Sequence, residues 1–403
     1  MPLLVHVLTV PESLVFLRGH VDFMRARGWE MTVVTSPGPA LDAFGERHDV
    51  PVHAVEMPRR MSPARDATSL ARLTALLRRL RPDLVHAHTP KGGLLGTIAA
   101  TAAGVRARIY HMRGLPLMTA TGAQRRILTM TERTSCALAT RVLAVSPSLR
   151  DYAVEARLCP AWKIRVLGSG SGNGVDCTGR FDPDRVPSGA RASFRQQIGA
   201  DADAPVIGFL GRLVRDKGIV ELAEAWARIR EARPDAHLVL GGVFEDRDAV
   251  PPATREALER DPRVHVLGFV EDTPRFYAGI DVLALPTYRE GFPNVPLEAA
   301  AMRVPVVATR VTGCVDAVVD GVTGTLVPAR DGAALAAALT AYLDDPALRG
   351  RHGNAGRERV LREFRSERLW AALAEVYEEL VPRARPSAAS TDRVADGASA
   401  NAR

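Results

Sequence analysis

The chain has 403 residues, 46% apolar, 25% charged and 5% aromatic, a composition that describes a globular protein of about two domains and excludes disorder over its length. Its four cysteines, Cys136, Cys159, Cys177 and Cys314, stand singly without a C-x-x-C pair, which excludes a disulfide scaffold and a local zinc or thiol-redox motif and fits a reducing compartment. The net charge of +7 is uneven: residues 1–170 carry 23 Lys+Arg against 12 Asp+Glu and the rest 30 against 34, so the first half, at +11, implies an anionic partner.

The first residues, MPLLVHVLTVPES, lack a basic leader and a small-residue cleavage site and are expected to form a buried strand. A helix over 13–27 follows, then the runs MTVVTS and VHAVEM, a helix over 65–80, DLVHAH, a helix from Gly92, RARIYHM, a helix over 123–139, and RVLAVS. Short apolar strands alternating with helices predict a parallel sheet covered on both faces. After the stretch GSGSGNGVD and a polar connection to Ala204 the alternation restarts with VIGFLG, HLVLGG, VHVLGF, DVLALP, VPVVAT and GTLVP. The expected fold is therefore α/β, two Rossmann-like doubly wound domains facing across a cleft, because ligands of open parallel sheets bind beyond the carboxyl ends of the strands. The domains are assigned to 1–172, completed by a C-terminal helix at 365–382, and to 173–364. The tail 383–403 has almost no large apolar residues and is expected to be disordered. No segment approaches the ~20 apolar residues of a membrane-spanning helix.

Two motifs carry chemistry. Glu290-Gly-Phe-Pro-Asn-Val-Pro-Leu-Glu298 follows the strand DVLALP and opens a helix, so the backbone N–H groups of Gly291, Phe292, Asn294 and Val295 suit a phosphate or sugar hydroxyls. The competing reading is a capped helix, with Asn294 as N-cap and Glu298 in the first turns. Gly211-Arg212-Leu-Val-Arg-Asp-Lys217-Gly218 follows the first strand of the second domain and places two cations where a helix over 219–232 begins, which suits a diphosphate. Only Lys91, Lys163 and Lys217 of the 53 basic residues are lysines, and two of them fall in motifs. His86 and His88 share one face of a strand, where a hydrogen-bonded core role is the common outcome, and the strand end favours His88 as the cleft residue.

These motifs resemble those of the family 4 glycosyltransferases, retaining enzymes of the GT-B fold, and the resemblance covers nearly the whole chain. It implies that Glu298 holds the ribose hydroxyls of a nucleotide sugar, Glu290 the donor sugar, and Arg212 and Lys217 the diphosphate, with no resident cofactor or metal. The segments Val10-Pro-Glu-Ser13, Asp83 to Gly92, Arg113-Gly114-Leu-Pro116 and Gly170 to Asp176 look like the branch that assembles capsules, exopolysaccharides and lipid-linked glycans. That branch implies a uridine-diphosphate donor, a polysaccharide or polyprenyl-diphosphate-linked acceptor, Ser13 and Lys91 on an acceptor or phosphate loop, and Gly268 near the donor base. Relatives carry a His-Gly pair where Arg113-Gly114 stands, and a glycine pair where Val10 to Ser13 stands. Arg113, with His111 two residues earlier on its strand, is accordingly expected as a cation near the developing oxocarbenium or phosphate region, and His88 as a catalytic residue of the cleft.

Rival classes fit less well. A nicotinamide oxidoreductase would need G-x-G-x-x-G between strand and helix, and residues 168–174 read GSGSGNG and lead into VDCTGRFDPD. A metal-dependent sugar transferase would need Asp-x-Asp at a strand end, whereas those at 182–184, 201–203 and 246–248 lie in polar connections. A sugar 2-epimerase of the same fold, or a non-catalytic nucleotide-sugar-binding relative, is the closest alternative. Sparse aromatics argue against nucleic acid. The arginines at 59, 60, 65, 72, 78, 79 and 81 suggest peripheral contact with anionic lipid, hence a cytoplasmic protein at the inner face of the plasma membrane.

Overall fold

The protein is seen in a computed structural model that describes residues 1–382 except Met61. The tail 383–403, expected to be disordered, lies outside the described residues. Strands β1 (Leu3–Val7), β2 (Glu30–Thr35), β3 (Val52–Ala54), β4 (Leu84–His88), β5 (Ala107–Met112), β6 (Arg141–Ala144) and β7 (Ile164–Val166) form one sheet in the order β3-β2-β1-β4-β5-β6-β7. Strands β8 (Val206–Leu210), β9 (His237–Gly241), β10 (Val264–Gly268), β11 (Val282–Leu285), β12 (Val306–Thr309) and β13 (Gly324–Val327) form a second, in the order β10-β9-β8-β11-β12-β13. Every recorded strand pairing within these sheets is parallel. Each sheet therefore needs helices on both faces, which is why its strands read as nearly continuous apolar runs. The order reverses at β1/β4 and at β8/β11, and residues that follow β1, β5, β8 and β11 line one cavity between the two sheets.

Three local departures from the pattern have physical causes. The helix expected over 13–27 is split into a 3-10 segment, Pro11–Leu17, and a helix, His20–Arg25. Gly19 stands between them at φ +72°, and a Cβ there would lie 2.3 Å from the Trp370 ring. Strand β7 adds an edge to the first sheet that its three residues, Ile-Arg-Val, are too short and polar to announce. The polar connection before β8 contains a helix, Ala190–Gln197, pinned by Arg195, whose buried guanidinium donates to the Asp281 carboxylate at 2.8 Å and to the carbonyls of Ala202 and Ala204 at 2.8 and 2.6 Å.

The last helix, Ser366–Leu380, packs on the first sheet, where Leu373, Ala374, Val376 and Tyr377 join Leu4, Leu84 and Ile109. Val175 pairs with Arg365 close to the glycine-rich crossover, so the chain passes between the sheets twice in one place.

Candidate active site

The loop after β11 carries Glu290 to Asn294 into the cleft, and the loop after β5 brings Arg113 to meet it. A cavity of about 260 Å³ lies between them, lined by Phe16, Arg113, Gly172, Gly211, Lys217, Glu290, Gly291, Phe292, Asn294 and Val295 among others. The domains touch here at backbone distance. A Cβ on Gly291 would stand 2.0 Å from the Arg113 carbonyl oxygen, so only glycine permits the approach. Ser146 donates its hydroxyl to the Gly291 carbonyl at 2.7 Å, tying the helix Pro147–Glu155 of the first domain to the same loop.

The charges are disposed unequally. Lys217 and Glu290 are paired with each other, both mostly buried. Arg113 is half-buried and has no carboxylate partner among the described residues. Its Nε donates to His88 Nδ1 at 3.1 Å, one terminal nitrogen donates to the Gly172 carbonyl at 2.8 Å, and the guanidinium lies 4.1 Å above the Phe16 ring. Burial lowers its pKa to about 9, which still leaves it a cation at neutral pH. A desolvated guanidinium satisfied by neutral acceptors keeps its charge for an incoming anion.

Glu298 lies on the helix Val295–Ala301, where Tyr277 donates its hydroxyl to Oε2 at 2.9 Å. Burial raises the Glu298 pKa, opposed by the Tyr277 hydrogen bond and by Arg180 and Arg18. Asn294 precedes this helix, but its side chain does not cap it; instead its amide oxygen faces the Ser171 hydroxyl at 3.5 Å. The helix has seven residues, so its dipole is small.

Other expected site residues lie elsewhere. Lys91 does not offer its charge to a phosphate: its ammonium donates to the Asp66 carboxylate at 2.8 and 3.0 Å and to the Arg60 carbonyl at 2.6 Å. Arg212 turns out of the cavity to Glu245 at 3.2 Å, although the adjacent Gly211 lines it. Ser13 sits in the 3-10 segment, from which Phe16 rather than Ser13 reaches the cavity. His88 is buried behind Arg113 and is not among the lining residues, so it meets the cavity through Arg113. Gly268 ends β10 at φ +68° with its carbonyl accepting from Gly242 at 2.7 Å, and no atom lies near its missing Cβ. Phe16 and Tyr277 lie outside the sequence motifs; an aromatic on a buried helix or segment carries no local signal that separates a site contact from core.

Residues 16–170 match a family model described as a glycosyl transferase 4-like domain, and residues 204–345 one described as glycosyl transferases group 1. The capsular polysaccharide biosynthesis glycosyltransferase CapM of Staphylococcus aureus is 34% identical over 372 residues, covering 92% of this chain and 96% of that protein. An alpha-maltose-1-phosphate synthase of Mycolicibacterium smegmatis is 30% identical over 81% of this chain and 89% of its own. Among solved structures, Anabaena Alr3699/HepE in complex with UDP superposes with a TM-score of 0.77 at 23% identity, covering 94% of this chain and all of that one. Two parallel-sheet domains meeting over such a cavity define a GT-B fold. The chain belongs to the GT-B glycosyltransferases of the family 4 type.

Proposed function

We propose that this glycosyltransferase moves a sugar, with retention of configuration, from a uridine-diphosphate sugar to a polysaccharide or polyprenyl-diphosphate-linked glycan. The observation that carries the reading is the cavity itself, which collects Arg113, Lys217 and Glu290 from two domains within reach of one ligand, with Glu298 on the adjoining helix. The complex of HepE with UDP and the capsular assignment of CapM support the donor and the acceptor class.

In this reading the diphosphate draws Lys217 away from Glu290 and takes the uncompensated charge of Arg113. Glu290, released, accepts hydrogen bonds from the donor sugar, while Glu298 accepts them from the ribose. The leaving phosphate oxygen then takes the proton of the incoming hydroxyl on the same face of the sugar, and the protein contributes orientation and charge. No resident metal or cofactor enters this scheme, because Arg113 and Lys217 supply the positive charge. Catalysis takes place at the inner face of the plasma membrane, where the exposed arginines of the segment 59–81 meet anionic lipid.

Calorimetric titration of nucleoside diphosphates and nucleotide sugars, in chelator, against wild type and Glu298→Ala tests the site. Selective binding of a uridine nucleotide, weakened on the order of tenfold or more in the variant, is expected. Binding of none, or binding indifferent to Glu298→Ala, refutes the site. An inverted anomeric centre in the product refutes retention.

A further inference from the structure

Behind Arg113, five imidazoles are packed together. His6 on β1 is in register with His86 on β4, and His88 with His111 on β5, so these four share one face of the first sheet. His20 approaches from the helix His20–Arg25, its ring centroid 5.3 Å from that of His6. All five are almost fully buried, and burial above all, with Arg113 and, for all but His20, neighbouring imidazoles adding to it, depresses their basicity, so they are neutral near pH 7.

Two hydrogen bonds of this cluster, Arg113 to His88 and His88 to His6, have a direction fixed by the guanidinium. A guanidinium Nε always carries hydrogen and accepts nothing, so the His88 Nδ1 atom that it meets at 3.1 Å must present a lone pair. His88 is then the Nε2–H tautomer. Its Nε2 lies 2.8 Å from His6 Nδ1, which must accept, so His6 is also the Nε2–H tautomer. His6 Nε2 has no hydrogen-bond partner among the described residues, and the chain ends there.

We propose that His6 and His88 are positioning residues that hold Arg113 aimed at the cavity: His6 Nδ1 accepts the Nε2–H of the His88 tautomer that Arg113 requires, and His88 presents the lone pair to which Arg113 Nε is bonded. The inference rests on the reading of the cavity as a nucleotide-sugar site. It assigns a role to a strand residue, His6, that touches neither the cavity nor the ligand. A carboxylate at position 88 would bind the guanidinium more strongly but cancel its charge; a neutral imidazole of fixed tautomer orients it and leaves the charge for the diphosphate. His6, His86 and His88 also have nitrogens close enough together to suggest a metal ion. The proton shared between His6 and His88, and the cation in contact with His88, favour the hydrogen-bonded chain.

Two measurements decide the matter. Long-range 1H–15N spectra of imidazole-labelled wild type at neutral pH are expected to show Nε2–H tautomers for both His6 and His88; an Nδ1–H tautomer or an imidazolium at His88 overturns the proposal. UDP titration is expected to show His6→Leu weakened on the order of tenfold, because His88 loses its acceptor, whereas His6→Asn, whose amide oxygen replaces Nδ1, stays within about threefold of wild type. His6→Leu that melts and binds UDP like wild type overturns it, as does uptake of one equivalent of Zn2+ by wild type that His6→Leu abolishes. Wild type that binds no UDP refutes the donor reading instead, and the spectra then decide the tautomer chain alone.

Discussion

Replacing Gly291 by alanine tests whether the contact of the two domains sets the geometry of the site. The new Cβ would lie 2.0 Å from the Arg113 carbonyl oxygen and 2.6 Å from its carbonyl carbon, whereas real Cβ contacts essentially never fall below 3.0 Å. Both neighbours are backbone, so no side chain can swing aside, and the loop bearing Glu290 must move about 1 Å from the one bearing Arg113. The Ser146 hydroxyl bond to the Gly291 carbonyl stretches with it. Overpacking of this kind costs about 1–3 kcal/mol of stability. At about 2–4 °C per kcal/mol for a domain of this size, the melting temperature falls by several degrees. The functional loss is larger, because a 1 Å displacement of catalytic groups costs on the order of a hundredfold in rate. Sugar transfer measured alongside a thermal melt separates the two, with Gly350→Ala as control, since no atom lies within 4 Å of the missing Cβ in that helix. Gly291→Ala with wild-type turnover would refute the claim that this backbone contact positions Arg113 against Glu290.

Glu298→Gln should stabilise the empty protein while weakening the donor complex. Burial raises the Glu298 pKa above its unfolded value, so the folded chain loses stability as pH rises from about 4.3 through the folded pKa, and glutamine removes that loss. The melting advantage should therefore be present at pH 8 and shrink toward pH 4; an advantage independent of pH contradicts the assignment. Arg195→Met leaves Asp281, itself mostly buried, with only the more exposed Arg191 as ionic partner, and should cost about 3–5 kcal/mol in denaturant titration. A loss below about 1 kcal/mol would mean that Arg191 compensates. Vesicle sedimentation should show binding that rises with anionic lipid and falls with salt, because Arg60, Arg72, Arg79 and Arg81 are exposed. Glutamate at Arg72 and Arg79 should abolish it, and lipid-independent behaviour would remove membrane contact from the proposal.

The architecture was legible because parallel sheets demand a signal that short windows carry: strands apolar on both faces, separated by amphipathic helices. All six strands expected in the second sheet are present, the helix Ile219–Ala232 begins and ends where expected, and the last helix, Ser366–Leu380, lies within the expected 365–382. The departures occur where distant packing decides the backbone. Gly19 breaks its helix because Trp370, 351 positions away, occupies the space of a Cβ, and nothing within the segment 13–27 records that.

The site was legible to a different degree, and the cases of Lys91 and Arg113 show why. Both are basic residues that follow strands of the first sheet, both lie in family-like motifs, and both were expected near a phosphate. What separates them is a partner contributed from elsewhere. Asp66, on the preceding helix, takes the charge of Lys91, while Arg113 meets only an imidazole, a carbonyl and a phenyl face. Sequence identifies which side chains carry charge. Whether a charge remains available depends on acceptors brought in by the fold: Arg113, without a carboxylate, can meet an anion directly, whereas Lys217 must first leave Glu290. By the same argument, Arg113→Lys should fail to restore donor affinity: an ammonium loses the planar Nε contact with His88 and the stacking on Phe16, and its hydrogens are free to turn toward Glu290. UDP affinity in Arg113→Lys equal to that of wild type would show that charge alone, without the orientation given by His88, is what the site requires.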